Sequence, residues 1–286
     1  MPTLTVQAPG KLNLSLDILG RRPDGYHELR MVMISVDLSD MVTLETGTGN
    51  PLSVRTNLSF LPNNEKNLAA QAALRFQETS GRDAGGIAIA VEKRIPVCAG
   101  MGGGSSDAAA VLRALNDILN AGYSPLALAK LGEQVGSDVP YCVLGGTALA
   151  EGRGELLTPL PSLPRCAAVV CKPPFSISTP ELFARADEVR LRHHPDTEGM
   201  VEALRAGDLG GVARRLYNVF EDVLPRRQAV QVRHLRSALI QRGALGACMS
   251  GSGPTVFGLF ADKKQAQAAW EDLRRTCRDI FLTETL

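Results

Sequence analysis

The chain has 286 residues, of which 44% are hydrophobic and 21% charged, a composition typical of a globular protein with sizeable cores. Its 31 Lys and Arg residues are balanced by 30 Asp and Glu residues. The chain therefore lacks the excess of positive charge with which proteins bind a nucleic acid backbone. The N-terminal sequence lacks the pattern of a signal peptide, and no apolar run approaches the ~18 residues that a membrane span needs, so we expect no membrane association.

The predicted elements begin with a β-rich region. Apolar residues alternate over residues 4–8 and again over residues 12–18, the period of two expected of strands with one buried face. The intervening Ala8-Pro9-Gly10-Lys11 segment interrupts the alternation and predicts a bend between two strands. Further strands are predicted over residues 31–36 and 41–44.

A glycine-rich loop then leads directly into a helix predicted from Ser106 to Leu119. The glycines expose backbone N–H groups and permit the positive φ values that bend these groups into a concave nest. Ser105 and Ser106 are the predicted caps of the helix, whose first turn would direct unpaired N–H groups into the same space. A concave group of N–H donors of this kind can bind a polyphosphate. The predicted phosphate-binding residues are Pro96, Val97, Cys98, Ala99, Gly100, Met101, Gly102, Gly103, Gly104, Ser105 and Ser106.

The glycine loop alone indicates a phosphate-bearing ligand, but it does not indicate which enzyme this is. It matches neither the Walker pattern nor the dinucleotide-binding pattern, and glycine-rich turns also occur where a strand and a helix merely pack closely.

Helices and strands intermix in the rest of the chain. Ser124 and Pro125 begin a predicted helix as N-cap and first residue. Without a strict βαβ alternation, the order predicts an α+β fold rather than a doubly wound sheet. The other predicted helices cover residues 64–76, 179–189, 197–204, 209–223, 226–241 and a segment ending near 276. The other predicted strands cover residues 87–91, 167–171, two segments within 247–260, and the C-terminus.

Six cysteines are spread along the chain without a CxxC pair or a neighbouring histidine cluster. This spacing argues against a zinc site and against a disulfide framework. We therefore expect reduced thiols and a cytoplasmic protein.

Three segments together resemble the motifs of one enzyme superfamily. The first motif is Ala8-Pro9-Gly10-Lys11-Leu12-Asn13-Leu14, the second is the glycine loop (residues 96–106), and the third is Cys248-Met249-Ser250-Gly251-Ser252-Gly253-Pro254. Their order and spacing resemble the galactokinase, homoserine kinase, mevalonate kinase and phosphomevalonate kinase superfamily, whose members are small-molecule kinases without a Walker loop. The resemblance implies a two-lobed α+β fold, with a β-rich ATP-binding lobe over residues 1–160 and a substrate-side α+β lobe over residues 161–286.

Finer details are similar to the 4-diphosphocytidyl-2-C-methyl-D-erythritol kinase family. The matching segments are residues 21–29, the doubled serine followed by Asp107, residues 135–141 and residues 177–183. The resemblance implies ATP-dependent phosphorylation of the 2-hydroxyl of a cytidine-diphosphate-bearing substrate, in the non-mevalonate route to isoprenoid precursors. ATP would be the co-substrate and Mg²⁺ would bridge its phosphates. Ser106 could ligate Mg²⁺ or cap the helix, so no protein ligand of the metal is assigned.

The same resemblance implies the catalytic residues. Asp138 would be the base for the 2-hydroxyl, since a carboxylate is ionised at neutral pH and can accept a proton. Lys11 would stabilise that carboxylate and offset charge on the γ-phosphate, and Asn13 would donate to substrate or phosphate. Without the flanking motifs, Asp138 and Lys11 would be interpreted as an ordinary carboxylate at a helix end and a solvated loop lysine.

The prediction of the substrate depends mainly on aromatic residues. Tyr26 and Phe183 would sandwich the cytosine ring while His27 binds its edge, and Thr179 and Pro180 would shape the pocket. For Phe183, a place in the core of an amphipathic helix is the competing interpretation.

Two other functions stay open at this point. One is a superfamily kinase for another alcohol, such as mevalonate or homoserine, which has no base to stack on aromatic rings. The other is a catalytically silent nucleotide-binding sensor, against which the presence of both Lys11 and Asp138 argues. The sequence gives no indication of the oligomeric state.

Overall fold

Two long strands open the chain, and each contributes residues to two structural units. In this computed structural model, which describes residues 2–286, β1 spans Thr3–Arg21 and β2 spans His27–Thr46. The first unit comprises residues 2–10, 39–95 and 102–145, and the second comprises residues 11–38, 96–101 and 146–286.

Strand β1 continues without interruption through Pro9 and Gly10, so the predicted bend at residues 8–11 is wrong. Proline lacks an N–H group and is tolerated in a strand only where no partner requires that donor. β1 meets its parallel neighbour, β8 (Tyr217–Asn218), only at Ser15 and Leu16, so Pro9 lies outside that pairing.

The first unit combines sheet pairing with a group of helices. Residues 41–46 of β2 pair antiparallel with β4 (Ile87–Glu92), and β3 (Ser53–Thr56) pairs parallel with β4. The helices of this unit are α1 (Leu68–Ser80), α2 (Gly103–Ile118), α3 (Pro125–Gly132) and α4 (Val139–Leu144).

Helices α1 and α2 pack against each other, and α2 also packs against α4. The two helices each bury four alanines, and side chains of this size let helix axes approach closely. The buried alanines are Ala69, Ala70, Ala72 and Ala73 on α1, and Ala108, Ala109, Ala110 and Ala114 on α2.

The second unit holds two groups of paired strands. Residues 29–34 of β2 pair antiparallel with β5 (Thr147–Gly152), which pairs in turn with β6 (Leu156–Pro159). A separate antiparallel sheet has the order β11-β7-β10-β9, with its two central strands almost wholly buried. Its strands are β7 (Ala167–Lys172), β9 (Gly246–Met249), β10 (Val256–Phe260) and β11 (Asp279–Glu284).

Five helices belong to the second unit. α8 packs on β9 and β10, and α9 packs on β7 and β11. Their bounds are α5 (Thr179–Asp187), α6 (Thr197–Arg205), α7 (Leu209–Arg214), α8 (Arg226–Gln241) and α9 (Lys263–Leu273), all within the described residues.

The helix predicted over residues 209–223 is wrong in its second half. α7 ends at Arg214, after which the chain forms the two-residue strand β8 and a 3-10 helix (Val219–Val223). The side chain of Asn218 accepts a hydrogen bond from the backbone N–H of Phe220 (3.0 Å), which begins the 3-10 helix. Pairing with β1 and this side-chain cap therefore override the helical periodicity.

The α+β prediction is confirmed, because strands and helices mix without βαβ alternation in each unit. Within residues 2–286, no helix combines the length and apolar character that a membrane crossing requires. The division of the chain at residue 160 stays a prediction.

Candidate active site

Ser250 joins three separate segments of the second unit. Its hydroxyl donates a hydrogen bond to the Gly100 carbonyl (2.9 Å) and accepts one from the backbone N–H of Asn13 (3.2 Å). Beside it, the backbone N–H of Lys11 donates to the Met101 carbonyl (3.0 Å). Residues from the first motif, the glycine loop and the third motif are thereby held together.

Lys11 and Asn13 are both buried and lie on the same side of β1. The Lys11 ammonium donates a hydrogen bond to Oδ1 of Asn13. Alternate residues of a strand point to the same face, so the pairing follows from their spacing of two. Burial of an ammonium is costly unless hydrogen-bond acceptors surround it, and Asn13 provides one. The structure therefore confirms that these two predicted residues are neighbours.

Two glycines let backbone segments approach closely around Lys11. Gly100 and Gly251 both have positive φ, of 72° and 56°. A Cβ at Gly100 would overlap the Ser250 carbonyl oxygen, and a Cβ at Gly251 would lie 2.9 Å from the Gly100 carbonyl oxygen and 3.2 Å from Nζ of Lys11. Side chains at these positions would thus separate the glycine loop from the third motif.

Asn218 is a buried residue of this site that the sequence reasoning missed. Its side-chain amide donates to the carbonyls of Met249 and Gly251, each at 2.8 Å. The same side chain begins the 3-10 helix, so one residue fixes the third motif against β8. An asparagine inside a predicted helix gave no signal of this role.

The glycine loop enters α2 in the first unit. Gly102 is the N-cap residue, with φ of 67° and no side-chain capping bond, whereas Ser105 and Ser106 lie within the helix. The prediction that these serines cap the helix is therefore wrong. Ser106 instead donates its hydroxyl proton to the Pro9 carbonyl (2.7 Å), which ties α2 to β1. Helical geometry leaves the N–H groups of residues 103–105 without partners in the helix, available to an anion.

A buried charge cluster lies next to the start of α2. Nζ of Lys93 contacts the carboxylates of Asp40 and Asp107, and all three side chains are more than nine-tenths buried. Oδ1 of Asp40 also accepts from the backbone N–H groups of Arg94 and Ile95, while Oδ1 of Asp107 has no partner among the described residues.

Two carboxylates share one ammonium in this cluster, so the second negative charge is poorly compensated. The pKa of Asp107 is raised to about 7, and burial is the largest cause. The charge of Lys93 acts in the opposite direction and lowers the pKa. The cluster was missed from the sequence, because Lys93 is 53 positions from Asp40 and 14 positions from Asp107.

Asp138, the predicted base, immediately precedes α4 in the first unit. Its carbonyl accepts the backbone N–H of Cys142 (3.1 Å), which begins the helix, and Pro140 occupies the first turn. The backbone N–H of Val139 donates to the Gly136 carbonyl (3.0 Å), so a tight turn over residues 136–139 fixes the backbone at Asp138. The side chain is half-buried. Asp138 belongs to the first unit and Lys11 to the second.

An aromatic cluster occupies the start of β2 and the helix α5 in the second unit. The rings of His27 and Phe183 stack with centroids 4.4 Å apart and an angle of 14° between their planes. Phe183 also meets Phe220 edge to face at 5.0 Å. The Tyr26 ring is 54% exposed, with the Arg153 guanidinium 5.0 Å from its centroid. The structure thus brings His27 and Phe183 into direct contact.

Helix α5 also contacts the third motif. The hydroxyls of Thr179 and Ser252 form a hydrogen bond of 2.7 Å, and Pro180 stands in the first turn of the helix. Ser178 caps that turn by accepting the backbone N–H of Glu181 (3.4 Å). Thr179, one of the predicted substrate residues of α5, is therefore joined to the third motif.

Comparison with known proteins identifies the family. The GHMP kinases N terminal domain matches residues 67–146, and the GHMP kinases C terminal domain matches residues 200–279. A 4-diphosphocytidyl-2-C-methyl-D-erythritol kinase of Alkaliphilus metalliredigens is 42% identical over 285 residues, covering 100% of this chain and 97% of the relative. Its counterpart in Geobacillus thermodenitrificans is 45% identical over 287 residues, covering 99% and 97%.

Solved structures agree with these relatives. The crystal structure of a 4-(cytidine 5'-diphospho)-2C-methyl-D-erythritol kinase has a TM-score of 0.81 and 34% identity, covering 99% of both chains. A homoserine kinase from Cytophaga hutchinsonii has a TM-score of 0.76 at 20% identity, covering 100% of this chain and 95% of its own, and so shows the fold alone. The sequence motifs meet at Ser250, and the relatives match the chain from end to end. The chain therefore belongs to the 4-diphosphocytidyl-2-C-methyl-D-erythritol kinase family of the GHMP kinases.

Proposed function

We propose that this chain transfers the γ-phosphoryl group of ATP to the 2-hydroxyl of 4-diphosphocytidyl-2-C-methyl-D-erythritol, a step of the non-mevalonate route to isoprenoid precursors. The observation that carries the proposal is the network at Ser250, which holds Lys11, Asn13 and the glycine loop together in a chain whose full-length relatives bear that name. The names of these relatives indicate the substrate, and the network supports a role for Lys11 and Asn13 in phosphoryl transfer.

Asp138 and Lys11 would carry the chemistry. The substrate oxygen attacks the γ-phosphorus as its proton passes to the Asp138 carboxylate, and the bond from the γ-phosphorus to the β–γ bridging oxygen breaks to release ADP. The Lys11 ammonium would stabilise the charge spread over the transferred phosphoryl oxygens, and Asn13 keeps that ammonium in place through its hydrogen bond.

The glycine loop and the start of α2 would hold the ATP phosphates. Gly102 ends the loop with positive φ, and the N–H groups of residues 103–105 present donors at the positive end of the helix dipole. Mg²⁺ would enter with ATP, coordinated by phosphate oxygens. Among residues 2–286, no group of three or more His, Cys, Asp or Glu side chains could hold a metal ion.

The cytidine group would bind at the aromatic cluster, with the base between Tyr26 and Phe183 and its edge against His27. Because the His27 and Phe183 rings are already stacked at 4.4 Å, the base would reach Phe183 only when these two rings slide apart. Thr179 and Pro180 would form the side of the pocket nearest the third motif.

A cytosolic location is part of the proposal. Each of the six cysteines is a free thiol, five of them buried and Cys98 exposed, which suits a reducing compartment.

The experiment that tests the proposal identifies the product of the reaction. The chain is incubated with MgATP and the cytidine-diphosphate substrate, and phosphorus and carbon NMR follow the new phosphate ester. We expect a monoester coupled to carbon 2, and Asp138→Asn should lower its rate by about 100-fold or more because the base is lost. An ester on another carbon, or release of ADP and inorganic phosphate alone, would contradict the proposal.

A further inference from the structure

A buried carboxylate outside the three motifs contacts the first residues of the third motif. Glu221 lies in the 3-10 helix, and its side chain is 10% exposed. Its Oε1 accepts hydrogen bonds from the backbone N–H of Met249 (2.9 Å) and from the thiol of Cys248 (3.4 Å). Burial raises the pKa of the Cys248 thiol well above its usual value, so the sulfur keeps the proton that it donates.

An arginine of α8 binds the second oxygen of that carboxylate. Nη1 of Arg236 lies 2.6 Å from Oε2 of Glu221, and Nε of Arg236 donates to the Ala247 carbonyl (3.0 Å). The pair therefore contacts residues 247–249, which lead directly to Ser250. Hydrogen bonds that involve an ionised group are shorter and stronger than neutral ones, so the pair holds this end of β9 firmly.

The position of β9 affects the residues around Lys11. Ser250 follows Met249, and its hydroxyl accepts the backbone N–H of Asn13 and donates to the glycine loop. The next residue, Gly251, approaches Lys11 so closely that a Cβ there would lie 3.2 Å from Nζ. A displacement of Met249 would therefore change the spacing around the Lys11 ammonium.

We propose that Glu221 is a positioning residue for phosphoryl transfer, with Arg236 as its partner, an inference that rests on the proposed function. Glu221 keeps the third motif at the distance from β1 that places the Lys11 ammonium against the transferred phosphoryl group. It acts through the backbone of Met249 and takes no part in substrate binding. Its loss should lower kcat and leave KM unchanged, because the contact of Lys11 with the phosphoryl oxygens is strongest in the transition state.

Kinetics of three variants test this role. Glu221→Ala should lower kcat by at least about tenfold and keep KM for both substrates within about twofold, since a small misplacement slows the reaction. Glu221→Gln keeps an oxygen that accepts from Met249 and should recover most of the lost kcat. Glu221→Ala combined with Arg236→Ala should be no slower than Glu221→Ala alone, because the two side chains act as a unit. An unchanged kcat in Glu221→Ala, or a rise in KM alone, would overturn the proposal.

Asp272→Ala is the matched control for the loss of an ion pair at α8. Asp272 lies on α9, and its Oδ2 is 2.6 Å from Nη2 of Arg242, the residue that follows α8. This variant should also lose stability, but it should keep the wild-type kcat at a temperature at which both variants are folded. Equal losses of kcat in Asp272→Ala and Glu221→Ala would show that general destabilisation is responsible, and would overturn the proposal.

Amide hydrogen exchange, followed by NMR, tests the same link without turnover. The amides of Met249 and Asn13 should both exchange at least about tenfold faster in Glu221→Ala than in Asp272→Ala, because Ser250 links Asn13 to the end of β9. Faster exchange at Met249 alone would confine the effect to β9 and overturn the proposal. Absence of turnover with the cytidine compound in the wild type would instead count against the proposed function, and exchange at Asn13 would still decide the role of Glu221.

Discussion

Nζ of Lys93 lies 2.6 Å from Oδ2 of Asp107, and both side chains are more than nine-tenths buried. Asp40 shares the same ammonium, so two carboxylates compete for one positive charge beside the first turn of α2. Removal of one partner from such a cluster leaves buried charge without compensation. The cluster therefore couples the protonation of Asp107 to the stability of the first unit.

The first prediction concerns pH. Burial raises the pKa of Asp107 to about 7, whereas an aspartate in an unfolded chain titrates near ~3.9. Between about pH 4 and pH 7 the native state keeps a proton that the unfolded state releases, so the contribution of this group to the free energy of unfolding falls as pH rises through that window. The side chain in Asp107→Asn is neutral at every pH, so the free energy of unfolding of this variant should fall less steeply with pH between about pH 4 and pH 7.

Denaturant unfolding at several pH values checks this prediction. Asp117 is an exposed aspartate on the same helix, and Asp117→Asn should keep the wild-type slope. Equal slopes for the wild type and Asp107→Asn would show that Asp107 does not titrate in this range.

The second prediction concerns the contact between the glycine loop and the third motif. Gly100→Ala places a Cβ on the Ser250 carbonyl oxygen and 2.9 Å from the backbone nitrogen of Gly253. The loop must move to relieve this overlap, so kcat/KM should fall by more than about tenfold, in line with the sensitivity of catalysis to misplacement. Steady-state kinetics with ATP as the varied substrate measures the effect.

Gly122→Ala is the control for backbone strain. Gly122 has a φ of 77°, close to the 72° of Gly100, but a Cβ there would meet nothing within 4 Å. This variant should lose about 1 kcal/mol of stability from the positive φ and keep its activity. Equal losses of activity in the two variants would mean that strain, and not the overlap, is responsible.

The third prediction concerns Asn218. Asn218→Asp keeps the oxygen that accepts from Phe220 but removes the amide protons that bind the Met249 and Gly251 carbonyls. Each buried group left without its partner costs about 1–3 kcal/mol, so the free energy of unfolding should fall by at least about 2 kcal/mol. Asn63→Asp, at an exposed position, should change it by less than about 0.5 kcal/mol. Equal stability of the two variants would contradict the role given to Asn218.

The fourth prediction concerns the exposed ring of Tyr26. If the base stacks on this ring, Tyr26→Ala should raise KM for the cytidine compound by about tenfold, because stacking on an aromatic side chain contributes about 1–3 kcal/mol per base. Tyr26→Phe keeps the ring and should keep KM. KM for ATP should stay the same in both variants. An unchanged KM in Tyr26→Ala, or an equal rise in both variants, would exclude stacking.

Local sequence patterns predicted a large part of this fold. The helix predicted over residues 226–241 coincides with α8, and Ser124 caps α3 with Pro125 in its first turn, as predicted. Both predictions rest on neighbours in sequence, namely helical periodicity and capping chemistry. The strands on either side of the third motif are also confirmed, since glycine and proline mark the turn between them.

Predictions that depend on distant partners were less successful. The bend at Pro9 and Gly10 is wrong because β1 runs through them as one strand. The capping role of Ser106 is wrong because its hydroxyl binds the Pro9 carbonyl, 97 positions away in the sequence. The link from Asn218 to the third motif spans about 30 residues, a separation that local patterns do not report. The proximity of Lys11 and Asn13 could be predicted because the strand period alone determines it.

A competition between acceptors measures the substrate preference of the enzyme directly. Equimolar 4-diphosphocytidyl-2-C-methyl-D-erythritol, mevalonate and homoserine are offered together to the wild type with limiting MgATP, and the phosphorylated products are separated and quantified. We predict that essentially all transferred phosphate lies on the cytidine compound. Phosphate on mevalonate or homoserine would contradict it, as would tight ATP binding with no transfer to any acceptor, the result expected of a nucleotide sensor.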